Sequence, residues 1–349
     1  MKVKKLFSHP GYCPGKDTLR SRRRTFSLVG LLCGAFLFSI ALSGAFVLLA
    51  TPAWSHEAEL HPHAEDSAVG DTKYKHPEHG SLGNIGAKLA NPLGDVWALA
   101  TSFNMPQFYD GDVNTGDPKL GATMLFQPIL PIPLHGTGDA AWRLATRPVI
   151  PIIFSEPIPT GFDEFDHKGG IGDIQLPVLL NLPERYAGNF LLGAGPVTLF
   201  PSATDDDLGQ DQWALGPAVV LGYKNKFLTT GIFPNYFWKV GSSGQDDETP
   251  DISQGSMLYF LTLNLPDAWQ IGFNPTITYN DKAKPYNRWN VPVGLFAGKT
   301  IKIGKMPVNI KAGVEYSVVS PDTFGQRAQF RIQITPVIQS LIKNPIFGK

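Results

Sequence analysis

Beyond residue 33 the chain has no cysteine; its two, Cys13 and Cys33, both lie in the N-terminal leader. A mature chain without that leader holds no disulfide, no thiol nucleophile and no thiolate metal site. No long apolar run follows about residue 50, so no helical membrane span is expected in the body of the protein. Charge is scarce and balanced: 17% of residues are charged and the formal net charge is +0 at pH 7. Nucleic acid is therefore not a favoured partner. No Gly-x-Ser-x-Gly nucleophile motif surrounds Ser155. Gly169-Gly170-Ile171-Gly172 lacks the lysine motif and the following helix of a phosphate loop. No cofactor and no catalytic residue is expected.

What the chain does have is 36 glycines and 30 prolines spread along its length, the mark of many short strands and turns. Its hydrophobic fraction of 43% is not that of a disordered chain. Residues 1–55 read as a signal peptide or leader. Lys2, Lys4, Lys5, Arg20, Arg22, Arg23 and Arg24 form a basic lead, and the stretch from Phe26 to Ala50 is nearly all apolar or small. Ala53-Trp54-Ser55 puts small residues where a signal peptidase reads them, so cleavage is expected before His56. The apolar segment is longer than usual, which leaves an uncleaved anchor as the alternative. Residues 56–81 form a polar linker with five of the eight histidines, His56, His61, His63, His76 and His79. Glu57, Glu59, Glu65 and Asp66 lie among them, a set that suits a weak metal-catching tail. No tight ligand spacing recurs, so a solvated, disordered tail is the preferred reading and no metal site is assigned.

Residues 82–338 read as one antiparallel transmembrane β-barrel. The clearest stretch runs from Phe190 to Tyr223. Trp213, Leu215, Pro217, Val219, Leu221 and Tyr223 fall on one face; Ala214, Gly216, Ala218, Val220 and Gly222 fall on the other. A greasy face with an aromatic ring at each end is the pattern of a membrane-spanning strand. About twelve such strands are expected after a short helix or turn at Leu82–Asp95. Their spans are Val96–Phe108, Lys119–Leu130, Ala140–Phe154, Gly170–Leu182, Asn189–Phe200 and Gln212–Tyr223, then Phe227–Val240, Ile252–Leu265, Ala268–Tyr279, Arg288–Ile301, Met306–Val318 and Gln326–Ile338. Lengths of roughly 11–15 residues exceed the 5–6 usual in soluble sheets and favour the membrane version. Residues 339–349 form a C-terminal tail.

Short connections (Pro183–Gly188, Lys224–Lys226, Pro266–Asp267, Lys302–Lys305) alternate with longer acidic ones (Tyr109–Pro118, Ser155–Gly169, Pro201–Asp211, Gly241–Asp251). Short inner turns and long outer loops are the outer-membrane arrangement. The acidic tips Asp205-Asp206-Asp207 and Asp246-Asp247-Glu248 could hold divalent cations such as calcium loosely, though such tips are more often only solvated. Pro128, Pro148, Pro177, Pro196, Pro217, Pro234, Pro275 and Pro292 fall inside the expected strands, against the usual rule. They are expected to mark bulges or bends.

The segments KLANPLGD (from Lys88), FQPILP (from Phe126), RPVIP (from Arg147), GIGDIQ (from Gly170), GAGPVTLFPSATDDDLGQDQW (from Gly193), WALGP (from Trp213), WNVPV (from Trp289) and PVNIKAG (from Pro307) recur in order along the barrel region. With them the chain resembles a family of bacterial outer-membrane barrels named for the meta-pathway of phenol degradation. The resemblance implies a transporter-like barrel in the bacterial outer membrane and carries no established substrate and no catalytic residues.

Turning the apolar faces to lipid puts Arg143, Arg147, Asp173, Gln175, Lys311, Glu315, Arg327, Gln329, Arg331 and Gln333 in the lumen. The functional reading is a charged permeation path. The alternative is a structural network plugging a narrow barrel, with Glu315 paired to Arg327 or Arg331. Some barrels hydrolyse lipid with a Ser/His pair at the rim. His135 and His167 both read as lying in connections, and no constellation completes a site around them. The expected function is passive passage of a small molecule, aromatic or otherwise apolar; the alternative is a non-conducting structural or interaction barrel. Outer-membrane lipid is the expected partner, and the small permeant is unknown.

Overall fold

The computed structural model describes residues 82–242, 250–342 and 344–348. The leader, the histidine-bearing linker and the Asp246-Asp247-Glu248 tip lie outside the described residues. Fifteen ladder segments form one sheet: β1 (Ala98–Asp110), β2 (Lys119–His135), β3 (Trp142–Thr146), β4 (Ile150–Pro159), β5 (Phe165–Ile171), β6 (Ile174–Asn181), β7 (Phe190–Phe200), β8 (Gln212–Lys224), β9 (Leu228–Ser242), β10 (Ser253–Asn264), β11 (Trp269–Phe273), β12 (Thr276–Asn280), β13 (Trp289–Ile303), β14 (Met306–Val319) and β15 (Gly325–Pro336). Three pairs are single strands with an interruption. β3 and β4 both pair with β2, β6 and β5 continue that order, and β11 and β12 both pair with β10. The barrel therefore has twelve antiparallel strands, and β1 closes it by pairing with β2 on one side and β15 on the other.

Alternation decides which face meets lipid. Leu215, Leu221, Ile271, Leu295, Val314, Val318, Ile332 and Ile334 are exposed on the outside. Their strand neighbours Ala214, Val220, Gln270, Phe296 and Thr335 are buried inside. A one-residue slip would turn the inner polar set to lipid, at about 2–4 kcal/mol for each Arg or Lys near the midplane, so the register is firmly fixed. Outer aromatic pairs gather at both ends. Phe200–Trp213, Tyr236–Trp238 and Tyr279–Trp289 sit at the long-loop end, with centroids 5.3, 4.7 and 4.6 Å apart. Phe190–Tyr223 at 5.8 Å and Lys299 over Trp269 at 4.9 Å mark the short-turn end. An amphipathic ring with an apolar body suits these two depths.

The strand prolines divide. Pro148 and Pro275 stand in the interruptions between β3 and β4 and between β11 and β12, and Pro292 sits at a register shift between β13 and β14. Pro196 and Pro217 face each other across β7 and β8. Beyond them the β6–β7 register skips from Pro177↔Val197 to Leu180↔Ala194, and β8–β9 from Leu215↔Trp238 to Ala218↔Asn235. The ladder is thus absent where their nitrogens have no hydrogen to give. The preceding glycine completes the device: a Cβ on Gly216 would stand 1.7 Å from the Tyr236 carbonyl oxygen. Pro128 and Pro234 keep register on one side, with β1 and β10, and fall in ladder gaps on the other: β2 pairs β4 up to Phe126↔Ile150 and β3 from Leu130↔Thr146, and β8–β9 skips again from Ala218↔Asn235 to Leu221↔Ile232.

One expected loop is largely strand. Ser155–Gly169 reads as a connection, but β4 and β5 extend into it, pairing Glu156↔Lys168, Pro157↔His167, Ile158↔Asp166 and Pro159↔Phe165. Proline at alternate positions leaves the intervening residues free to pair, so this Pro-rich hairpin persists. The C-terminal tail also pairs, with Ile346 and Phe347 donating to the carbonyls of Pro133 and Leu134 at 3.1 and 2.8 Å.

Candidate functional site: the barrel lumen

The interior is occupied at its short-turn end by the chain that precedes β1. Helix α1 (Leu82–Ala90) packs at Gly86 against Gln270 and Thr300. Leu89 meets Ala98, Ala100 and Ile129 on the β1–β2 side. Asn91 ends the helix, its side-chain oxygen taking the Leu93 N–H at 2.9 Å, an Asx turn. Leu93 then reaches the β6–β7 wall, where Asn181 donates to its carbonyl at 2.9 Å. Trp97 Nε1 donates to the Pro131 carbonyl at 3.0 Å and fixes the entry into β1. The segment thus crosses the barrel.

The lumen has two unlike walls. Leu179, Leu191, Val197, Leu199, Val220, Phe237 and Phe260 form one continuous apolar cluster along β6 to β10, joined by Leu93. The opposite wall is polar: Ser102 and Asn104 on β1, Asn309, Lys311, Glu315 and Ser317 on β14, and Gln329 and Thr335 on β15 are all buried.

Charge concentrates on that polar wall. Glu315 accepts from Arg331 at 2.8 Å and from Gln329 at 2.6 Å. Arg331 also donates from Nε to Asn104 Oδ1 at 2.9 Å. Lys311 lies two strands from the closure with its ammonium 4.6 Å over the Phe296 ring. Gly298 makes room for it: a Cβ there would stand 2.7 Å from Lys311 Cγ. Arg147 donates to Gln127 Oε1 at 2.8 Å. A cavity of about 20 Å³, room for one water-sized group, lies between Lys311, Glu315, Arg331 and Gln333 and the wall residues Phe273, Asn274 and Leu295. It meets the wall where the sheet is open. β13 pairs β11 up to Gly272↔Phe296 and β12 only from Thr278↔Asn290, leaving 273–277 without a ladder on that side.

The expected lumen residues are therefore spread over three depths. Arg147, Lys311, Glu315, Gln329 and Arg331 share the middle, and Gln333 bonds Thr335 at 3.1 Å nearer the short-turn end. Arg143 is at the short-turn rim, donating to the Gly138 carbonyl at 3.3 Å. Arg327 is at the long-loop mouth, hydrogen-bonded to Ser320, so Glu315 pairs with Arg331 and not with Arg327. Gln175 falls on the same strand face as buried Leu179 and Asn181. Asp173 does not line this path. Its carboxylate takes the N–H groups of Ser202, Ala203 and Gln210 at 3.1, 3.2 and 2.8 Å and holds the 201–211 loop. The strand breaks at Gly172–Asp173, so alternation does not carry across. Asn104, Gln127 and Phe296 belong to the site and are not evident from the sequence, since a neutral amide or a ring on an alternating strand gives no signal of its own. The gap at 273–277 did have one: Pro275 and Pro292 lie on neighbouring strands.

His167 lies in β5 and not in a connection, nor does His135, the last residue of β2. Ser155 Oγ and His167 Nδ1 are 2.8 Å apart on the outer face. No side chain orients the other imidazole nitrogen among the described residues, which a general base of this kind needs. Of the acidic tips, Asp205 and Asp207 engage Lys168 at 3.2 and 3.6 Å. Among the described residues no three His, Cys, Asp or Glu side chains gather as a metal site.

No family model and no curated protein matches the chain. Among solved structures, the COG4313 outer membrane channel from Pseudomonas putida F1 is similar at a TM-score of 0.50 and 13% identity, over 71% of this chain and 97% of that one. The NanC porin is similar at 0.42 and 12% identity, over 70% and 99%. The Pseudomonas putida toluene transporter TodX is similar at 0.35 and 9% identity, over 72% and 92%. The first likeness is one of fold, the barrel of outer-membrane proteins; the other two are too distant to bear an argument.

Proposed function

We propose that the protein is a passive channel of the bacterial outer membrane for small, largely apolar molecules, aromatic ones included. The observation that carries this is the apolar middle of the wall along β6 to β10, with buried Asn181, Gln212, Thr229 and Thr262 at its ends, facing a polar wall across one lumen. A pore for hydrated solutes is expected to be polar all round. An apolar solute can instead exchange water for Leu, Val and Phe contacts at roughly 25 cal/mol per Å² of buried surface. The wall gap beside Phe273 and Leu295 gives such a solute an exit toward lipid. The pair Ser155–His167 is read as structural. Outer-membrane lipid is the partner of the outer face, and any divalent cation at the acidic tips is incidental.

The test compares cells lacking and carrying the protein for uptake of radiolabelled phenol and arabinose. Protein-dependent phenol entry with little arabinose entry is expected. Arabinose entry equal to phenol entry would mean a water-filled pore. Absence of both would favour a non-conducting structural barrel, a reading that the segment crossing the short-turn end supports.

A further inference from the structure

At its short-turn end the lumen wall carries a polar band: Thr229 on β9, Thr262 on β10, Gln270 on β11, Thr300 on β13, Asn309 on β14 and Thr335 on β15. Thr229 stands opposite Thr262, and Thr300, Asn309 and Thr335 follow one another across three strands. Such a band is what the mouth of a wet pore presents to water. Yet each of these residues is no more than 3% exposed. Helix α1 lies against β9, β10, β13 and β14. What it brings there is glycine. A Cβ on Gly86 would stand 2.7 Å from Thr300 Oγ1 and 3.3 Å from Gln270 Nε2, and one on Gly83 would stand 4.0 Å from Ala268 Cα.

Under this cover the band is incompletely served. Asn309 Nδ2 donates to Gln270 Oε1 and Thr300 Oγ1, and Gln270 Nε2 donates to Asn264 Oδ1. Asn309 Oδ1 and Asn264 Nδ2 are buried without a partner among the described residues. Unpaired buried polar atoms disfavour the covered state, and water would serve them once the helix moved away. The firm grip on the segment comes later in the chain. Leu93 joins the apolar wall with its carbonyl held by Asn181, and Trp97 bonds Pro131. Between helix and anchors stand Asn91 and Pro92, where the helix has ended.

We infer that α1 is a hinged plug, which pivots about Asn91 and Pro92 to uncover the polar band and open the lumen at the short-turn end. Its seat sets glycine on hydroxyl and amide groups, so leaving it gives up little apolar burial. Leu93 and Trp97 keep the segment tethered while the helix is out. The inference rests on the proposed function in one respect, that a solute crosses the lumen.

The test locks the helix in its seat. Gly83→Cys with Ala268→Cys, in a chain whose Cys13 and Cys33 are replaced, puts two thiols within bridging reach. On oxidation, phenol uptake is expected to fall to that of cells lacking the protein, and to return on reduction. A second arm does not depend on transport. In the purified full chain in non-ionic detergent, Thr300→Cys is expected to react with a water-soluble maleimide while heat-modifiable migration shows the barrel folded. The 83–268 disulfide should block that reaction. Uptake unchanged by a formed disulfide, or an unreactive Thr300→Cys in the folded barrel, would overturn the plug and leave the channel reading standing wherever phenol enters wild-type cells. Failure of the folded pair to oxidise would overturn the seat itself. If Thr300→Cys does not fold, Thr335→Cys takes its place. If phenol does not enter cells carrying the wild-type protein, the transport reading falls and the labelling arm alone decides the plug.

Discussion

Glu315 is the single carboxylate among the buried charges of the polar wall, and Arg331 and Gln329 converge on it. Removing its charge leaves Arg331 without a counter-ion in a lumen that already holds Lys311 and Arg147. Glu315→Gln is therefore expected to destabilise the barrel by about 3–5 kcal/mol, the usual result of breaking one side of a buried pair. The midpoint of heat-modifiable migration measures it; an unchanged midpoint would place Arg331 in bulk water. At the loops the titrating groups are different. Asp163 is held below the usual carboxylate range by side-chain and backbone hydrogen bonds from Thr115, and Asp205 by the Asp207 backbone N–H and Lys168. Depressed carboxylates contribute stability above their unfolded value, about 3.9, and lose it as pH falls through the lower folded value. Amide exchange in residues 160–164 and 201–211 is expected to quicken, beyond its intrinsic pH dependence, below about pH 4 and not between pH 5 and 8. At this scale the sequence showed which charges exist and not which ones pair. The Arg331–Asn104 contact joins residues far apart along the chain, through the closure of β15 onto β1.

The strands themselves were legible, because alternation over ten or more residues is a strong signal once repeated along the chain. Ala268–Tyr279 kept its parity through the break at Asn274–Pro275, with Phe273 and Ile277 both pairing on the outer face. Parity failed elsewhere. The bulge between Ile153 and Glu156 and the break at Gly172–Asp173 each re-aim the side chains beyond them, and neither is visible as a loss of apolar character. That is why Ser155 and His167 read as loop residues and Asp173 as a lumen residue. Proline inside the strands is legible as an oddity; the role of the glycine that precedes it is not. Gly216→Ala tests it, since the new methyl must displace the Tyr236 carbonyl. We expect destabilisation toward the upper end of about 1–3 kcal/mol for an overpacked site, with loss of folded barrel in membranes as the cruder readout. Gly188→Ala is not the right control, because its φ of 60° is strained for any side chain. Gly116→Ala is, since no atom lies within 4 Å of the added carbon.

The whole molecule has two unequal ends, and from them its direction in the membrane is predicted. One end carries the turns 225–227, 265–268 and 304–305, together with α1 and the C-terminal pairing to β2. The other carries the connections 111–118, 201–211 and 281–288. The strand count is even, so both chain termini of the barrel fall at the short-turn end. We predict that the end filled by the N-terminal segment faces inward and that the long connections face outward. The acidic character of those connections fits an outer surface, where Lys168 already ties Asp205 and Asp207 down. A cysteine placed at Asp206, with Cys13 and Cys33 replaced, should therefore react on intact cells with a membrane-impermeant maleimide. A cysteine at Lys226 in the opposite turn should react only after the outer membrane is opened. Reaction at Lys226 and protection at Asp206 would invert the barrel. Equal reaction at both, in cells whose outer membrane still excludes the reagent, would mean that the twelve strands do not span a bilayer at all.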